Sequence, residues 1–181
     1  MQMNLPNTIT VLRIFAVPVV IYLILTGYLQ AAFWIFLAAG ISDAIDGYLA
    51  RAWNQRTELG AYLDPIADKS LLVSIFITLA LIHFIPIWLA IAVVSRDLMI
   101  VGAVILSWLL GHPVTIRPLM ISKVNTVAQI GFAAFALGSA GFGFEASDLL
   151  MLTAYVTGVL TVLSAAAYLA AWMRHMAEGA G

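Results

Sequence analysis

Apolar stretches of roughly twenty residues, each closed by a short polar or glycine-containing break, run through the whole chain. A helix needs about 20 predominantly apolar residues to cross the hydrocarbon core of a bilayer. Six segments reach that length: Thr8–Thr26, Gln30–Trp53, Glu58–His83, Ile85–Leu110, Leu119–Gly141 and Asp148–Met173. The breaks between them are Gly27-Tyr28, Trp53–Thr57, Phe84–Pro86, Gly111–Pro118 and Phe142–Ser147. Connections this short leave no room for a soluble insertion, and no internal repeat is visible. The pattern predicts an all-α membrane protein with six transmembrane helices, residues 1–181 forming a single domain.

Composition makes lipid the solvent. Of the chain, 64% is hydrophobic and 9% is charged, against about 25% charged residues in a soluble domain. The formal net charge of −1 leaves no basic patch, so nucleic acid is excluded as a partner. With no cysteine, disulfides are excluded too. The polar start, Met1–Pro6, leads into an apolar run with no small-residue cleavage site, and it reads as a retained first span. The lack of an Arg- and Ser-rich presequence points to a bacterial cytoplasmic membrane or to a processed chain. Arg51 and Arg56, Arg117 and Lys123, and Arg174 flank alternate ends of the spans, whereas the opposite loops carry only Glu145 and Asp148. By the positive-inside rule both termini are expected in the cytoplasm.

Ten ionisable residues fall inside the spans: Arg13, Asp43, Asp46, Arg51, Asp64, Asp68, Lys69, Arg96, Asp97 and Lys123. Each costs about 2.5–3.5 kcal/mol near a helix centre on insertion scales, so by default they mark function. Asp43, Asp46, Gly47, Ala50 and Arg51 follow the spacing of one helical face, and Asp64 and Asp68 lie one turn apart on the next helix. A short hairpin between these helices lets the acidic faces meet in a pocket open to the cytoplasm. Arg51 lies at its mouth and Asp43 about 12 Å deeper, at 1.5 Å per residue. Four converging carboxylates stay ionised together only if cations neutralise them. All-oxygen ligation suits magnesium, manganese or calcium, and two such ions clamp the oxygens of a phosphoryl displacement. Two other readings stand beside this one. The acids pair with Arg13, Arg51, Lys69, Arg96 and Lys123 as buried ion pairs, or they line a cation pathway. Ion pairing is an inefficient glue for a bundle, and the outer halves of the spans carry no matching acids for a pathway. Pro65, inside the third segment, either kinks the packing or turns the two carboxylates.

From Asp43 the sequence reads D-A-I-D-G-Y-L-A-R, then eight residues, then G-A-Y-L-D-P-I-A-D. This resembles the signature of the CDP-alcohol phosphotransferases, D-x2-D-G-x2-A-R-x8-G-x3-D-x3-D, at each of its eight defined positions. The likeness extends from Leu5-Pro6-Asn7 to at least Gln129. It implies that fold, CDP-diacylglycerol as donor, release of CMP, and two divalent cations, Mg2+ or Mn2+. It implies Asp43, Asp46, Asp64 and Asp68 as metal ligands, with Asp68 also the general base on the acceptor hydroxyl. Asn7, Thr10, Asp46, Gly47, Ala50, Arg51 and Gly60 would bind CDP-diacylglycerol. A homodimer is implied as well, and Gly138, Gly141 and Ala165–Ala167 suit close helix contacts without locating its interface.

Two branches of that family share W-N-Q-R and L-D-P-I-A-D-K with this chain: CMP-forming cardiolipin synthases and phosphatidylglycerophosphate synthases. Ser95-Arg96-Asp97 and Ser122-Lys123-Val124-Asn125-Thr126 resemble the first. The second branch usually has A-R-E and a further Lys at the place of Asn125. Glycerol 3-phosphate brings a dianion that calls for several cationic donors, whereas phosphatidylglycerol brings one charge. Arg96, Lys123 and Asn125 are therefore the expected acceptor-binding residues, with phosphatidylglycerol as acceptor and glycerol 3-phosphate as the alternative. Arg96 as an ion-pair partner and Asn125 as an interhelical hydrogen-bonder are the structural readings of the same residues. The five tryptophans read as interfacial anchors or filler, and His83, His112 and His175 are given no chemistry.

Overall fold

The computed structural model describes residues 5–52, 58–110 and 119–179, with side chains described for 12–42, 69–110 and 119–177. Six helices make up these residues: α1 Leu5–Leu25, α2 Leu29–Ala52, α3 Glu58–Leu81, α4 Ile87–Leu109, α5 Met120–Phe142 and α6 Ser147–Gly179. The predicted all-α architecture is thus what the chain adopts. Three of the helices have the length and apolar composition of a membrane span: Ile87–Leu109, Met120–Phe142 and Ser147–Ala177. Among the described residues the others show shorter apolar stretches, Leu12–Leu25, Leu29–Ser42 and Lys69–Leu81. Helix α6 runs to Gly179 rather than stopping near Met173. Hydropathy falls there, but A-A-W-M-R-H-M-A-E contains no helix breaker, so the backbone continues past the apolar limit.

The backbone divides into two compact units, Met1–Ile85 with Ala133–Ala146, and Pro86–Phe132 with Ser147–Gly181. In the first, α1 packs against α2 and α3. Val20 and Ile24 of α1, Ala32 and Phe36 of α2, and Ile75, Phe76 and Leu79 of α3 form its buried apolar core. The C-terminal half of α5 crosses the start of α2 closely. A Cβ on Gly141 would lie 2.8 Å from the backbone nitrogen of Gln30, so only glycine fits. Gly138 faces the Phe33 ring, which also meets Phe142 edge-on at 5.6 Å. Both glycines are therefore used within the chain. In the second unit α4 packs against α6. The Trp88 ring lies over Gly158 and stacks on Tyr155 with centroids 5.4 Å apart.

Polarity is arranged inside out. Trp108 and Met120 are 73% exposed and Phe15 67%, while Arg13, Arg96, Asn125, Gln129, Thr161 and Ser164 are buried. That surface suits lipid and not water. Hydroxyls left in the helices bond back to carbonyls one turn earlier, as Thr78 Oγ1 does to Ser74 O at 2.6 Å and Ser107 Oγ to Ala103 O at 2.7 Å.

Helix ends meet the same demand. After α1, the Tyr28 N–H donates to Leu23 O at 2.8 Å and the Gly27 N–H to Ile24 O at 3.2 Å. After α3, the Phe84 N–H donates to Leu79 O at 2.9 Å and the His83 N–H to Ala80 O at 3.0 Å. After α5, the Phe144 N–H donates to Ser139 O at 3.1 Å. Each end recaptures carbonyls through a residue in the left-handed region: Gly27 at φ 82°, His83 at 57° and Gly143 at 69°. Two of the three use glycine, and His83 bears the Cβ strain of that conformation.

Substitutions at these ends separate backbone strain from packing, because no atom lies within 4 Å of a Cβ added at Gly27 or at the helical Gly102. Gly27→Ala should lose about 1 kcal/mol of stability. Gly102→Ala should gain up to about 1 kcal/mol through helix propensity, and His83→Gly should gain rather than lose. Thermal unfolding in detergent measures all three, and a stabilised Gly27→Ala would refute the left-handed turn.

Candidate functional site

The acidic signature lies on two consecutive helices. Positions 43, 46, 47, 50 and 51 occupy the C-terminal half of α2, and positions 60, 64 and 68 the N-terminal half of α3. Asn7 and Thr10 fall in the first two turns of α1, which packs against both. The side chains of Asn7, Thr10, Asp43, Asp46, Gly47, Ala50, Arg51, Gly60, Asp64 and Asp68 lie outside those described. What the backbone establishes is the register: α2 carries its positions at the spacing of one face, and α3 carries 64 and 68 one turn apart. Among the described side chains no three metal-ligating residues gather, and the four acids are not among them.

The predicted acceptor residues are described, and they sit in the second unit. Arg96 of α4 is 4% exposed. Its Nη1 donates to Asp97 Oδ1 at 2.6 Å, its Nη2 donates to Ser164 Oγ of α6 at 3.0 Å, and Nη2 also reaches Ser122 Oγ of α5. The guanidinium carbon lies 5.5 Å from the centroid of the Tyr168 ring, within cation–π range. Arg96 Nε is buried without a hydrogen-bond partner. Low dielectric strengthens the Arg96–Asp97 attraction but also makes desolvation of both groups costly, so the added hydroxyl contacts matter.

Asn125 is fully buried and accepts a hydrogen bond from Thr161 Oγ1 of α6 at 2.9 Å. Gln129, one turn further along α5, donates from Nε2 to the same Thr161 oxygen at 3.2 Å. Asn125 Nδ2 and Gln129 Oε1 have no hydrogen-bond partner. Lys123, by contrast, is exposed. Arg96 and Ser122 are thus brought together, whereas Lys123 and Asn125, two residues apart, do not share a face. The interhelical reading of Asn125 describes its observed contact.

Thr157, Thr161, Ser164 and Tyr168 were not singled out from the sequence, whereas Ser122 and Asn125 fall in a motif that was. Thr157, Thr161, Ser164 and Tyr168 recur at the spacing of one α6 face, and Ser122, Asn125 and Gln129 at the spacing of one α5 face. These two polar stripes in apolar helices were the available signal. Trp172, read as anchor or filler, in fact donates from Nε1 to the buried Ser107 Oγ at 2.7 Å, joining α6 to α4.

Comparison with known proteins places the chain. The CDP-alcohol phosphatidyltransferase family matches residues 3–173. The CMP-forming cardiolipin synthase of Rattus norvegicus is 35% identical over 181 residues, covering 91% of this chain and 60% of the rat protein. The Homo sapiens counterpart is 34% identical over the same shares. The CDP-diacylglycerol–glycerol-3-phosphate 3-phosphatidyltransferase of Escherichia coli K12 is 35% identical over 179 residues, covering 94% of this chain and 96% of that protein. The chain therefore spans about 60% of the length of the two mammalian relatives.

The α5–α6 network predicts its own energetics. Thr161→Val should leave the Asn125 and Gln129 amides without their shared partner and lower stability by about 0.6–1.7 kcal/mol, the range of hydrogen bonds between membrane helices. Thr161→Ser should be close to neutral. Equal melting temperatures for Thr161→Val and the parent would show that the network contributes nothing.

Proposed function

The chain belongs to the CDP-alcohol phosphatidyltransferase family, and on that premise we propose that it transfers the phosphatidyl group of CDP-diacylglycerol to phosphatidylglycerol, forming cardiolipin and releasing CMP. The observation that carries the acceptor is electrostatic. Arg96 already has its charge met by Asp97 at 2.6 Å, and Asn125 stands where the other branch has a Lys. With that pair neutral overall, Lys123 leaves one positive charge among these residues, which suits a phosphodiester monoanion better than the dianion of glycerol 3-phosphate. A second reading, transfer to glycerol 3-phosphate, is favoured by the Escherichia coli relative, which is equally similar and matches this chain nearly end to end.

The family is generally divalent-metal dependent, and the donor set fits: four carboxylates on consecutive helices offer the all-oxygen ligation of Mg2+ or Mn2+. Asp43, Asp46, Asp64 and Asp68 would hold two such cations. When bound, these cations neutralise the carboxylates and draw charge from the phosphoryl oxygens. Arg51, with the small surface at Gly47, Ala50 and Gly60, binds the CMP moiety, and Asn7 and Thr10 close over the nucleotide. Asp68 accepts the proton of the acceptor hydroxyl. That oxygen then bonds to the phosphorus bearing the diacylglycerol, and the pyrophosphate bond breaks with CMP leaving. Arg96 binds the acceptor phosphate, while Lys123, on another face of α5, contributes charge and Asn125 keeps its bond to Thr161.

Six helices, three of them with the length and composition of a span, support a six-pass protein. The family match runs from residue 3 to residue 173 and so crosses both units, which supports one membrane domain. The Lys and Arg distribution supports cytoplasmic termini and a cytoplasmic active site, in a bacterial inner membrane. We assign a homodimer as its assembly.

Asp43→Asn, Asp46→Asn and Asp64→Asn should each abolish turnover in a folded, membrane-inserted protein, and chelation should do so reversibly. Near-normal activity in any of the three would remove that residue from the metal site. Asp68→Asn should keep CDP-diacylglycerol binding while transfer falls by about 10²–10⁴-fold. Labelled CDP-diacylglycerol offered with phosphatidylglycerol or glycerol 3-phosphate decides the acceptor. Cardiolipin should form and glycerol 3-phosphate should be poor, and the opposite preference establishes the second reading.

A further inference from the structure

We propose that Ser164 of α6, together with Ser122 of α5, is a positioning residue that fixes the Arg96 guanidinium for the anionic phosphodiester of the acceptor. The inference rests on the acceptor reading above and names what orients its central cation. An arginine side chain has many rotamers, and holding one before the ligand arrives removes part of the ordering cost of binding. Three helices do this here. Asp97 takes an Nη1 hydrogen from α4 itself, Ser164 and Ser122 take hydrogens of Nη2 from α6 and α5, and Tyr168 lies beside the planar group. The fork has five N–H donors, and Nε, buried and unpartnered, is among those left over.

The chemistry of the two partners on α5 and α6 suits this role. Asp97 already offsets the guanidinium charge; a hydroxyl adds a tether without adding negative charge, whereas a second carboxylate would make the cluster repel an anion. A hydroxyl also turns, so the group that accepts from Nη2 in the free enzyme can donate to a phosphate oxygen when that oxygen replaces it. The buried Nε–H, costly while it lacks an acceptor, gains one from the same ligand. Ser164 is fully buried on the polar face of α6, one turn from Tyr168. The Trp172–Ser107 bond joins the same two helices, α4 and α6, at a comparable 2.7 Å without touching Arg96. It is the natural control for a purely structural tie.

Steady-state kinetics of the full chain in lipid–detergent micelles test the proposal, with phosphatidylglycerol and glycerol 3-phosphate as separate acceptors. Ser164→Ala is expected to raise KM for the acceptor that turns over by about five- to tenfold and leave KM for CDP-diacylglycerol unchanged. Ser164→Thr, which keeps the hydroxyl, should restore it. Ser107→Ala should lower the melting temperature with both KM values unmoved. If Ser164→Ala behaves like Ser107→Ala, the residue is only a helix tie and the positioning role is refuted. Should Ser164→Ala fail to fold, Ser122→Ala reads the same effect from α5, and an unchanged acceptor KM there refutes it equally. Arg96→Gln separates the two levels: an unchanged acceptor KM overturns the acceptor reading itself. A raised KM with an unresponsive Ser164 overturns only the positioning.

Discussion

Lipid offers no hydrogen bonds and almost no dielectric screening, and the rest of this structure follows from that. A group that water would have satisfied must find its partner within the chain. The helices meet this in three ways. Thr and Ser hydroxyls fold back onto carbonyls one turn earlier, as Thr78 and Ser107 do. Helix ends recapture their carbonyls through left-handed residues at Gly27, His83 and Gly143. The longer polar side chains meet between helices, Asn125 and Gln129 on Thr161, and Arg96 on Ser122 and Ser164, with Asp97 of its own helix beside it.

The same constraint gives charge its meaning. In a soluble enzyme a surface arginine explains little, because water screens it. Inside an apolar bundle, a guanidinium with one carboxylate and two hydroxyls around it has its net field set by those few neighbours. Pairing with Asp97 at 2.6 Å offsets the Arg96 charge. In the α2–α3 signature the imbalance runs the other way. Its sequence carries four carboxylates and one arginine, at position 51, an excess of negative charge that divalent cations would relieve.

The described interior also separates two kinds of polar residue that share a helix. On α5, Ser122, Asn125 and Gln129 turn toward α6 or Arg96 and are engaged, while Lys123 is exposed. Position along the chain does not distinguish them, but the 3.6-residue period does. Glycine shows a comparable split. Gly141 is fixed by the backbone of Gln30, whereas Gly102 has open space around it.

The sequence alone determined the fold class and, among the described residues, the six helices and nearly all their limits, because long apolar runs are separated by short polar breaks. It also determined the catalytic family, because the signature's chemistry requires fixed residue types at helical spacing. Where hydropathy and helix propensity parted company, at the end of α6, the reading fell short: Ala171–Glu178 stays helical without being apolar enough to span. Which polar residues pair was decided only by tertiary structure. Ser164 lies 68 positions from Arg96, and Trp172 lies 65 from Ser107. Periodicity marks the face a residue occupies but not the helix that face meets, and that choice belongs to the packing of α4, α5 and α6.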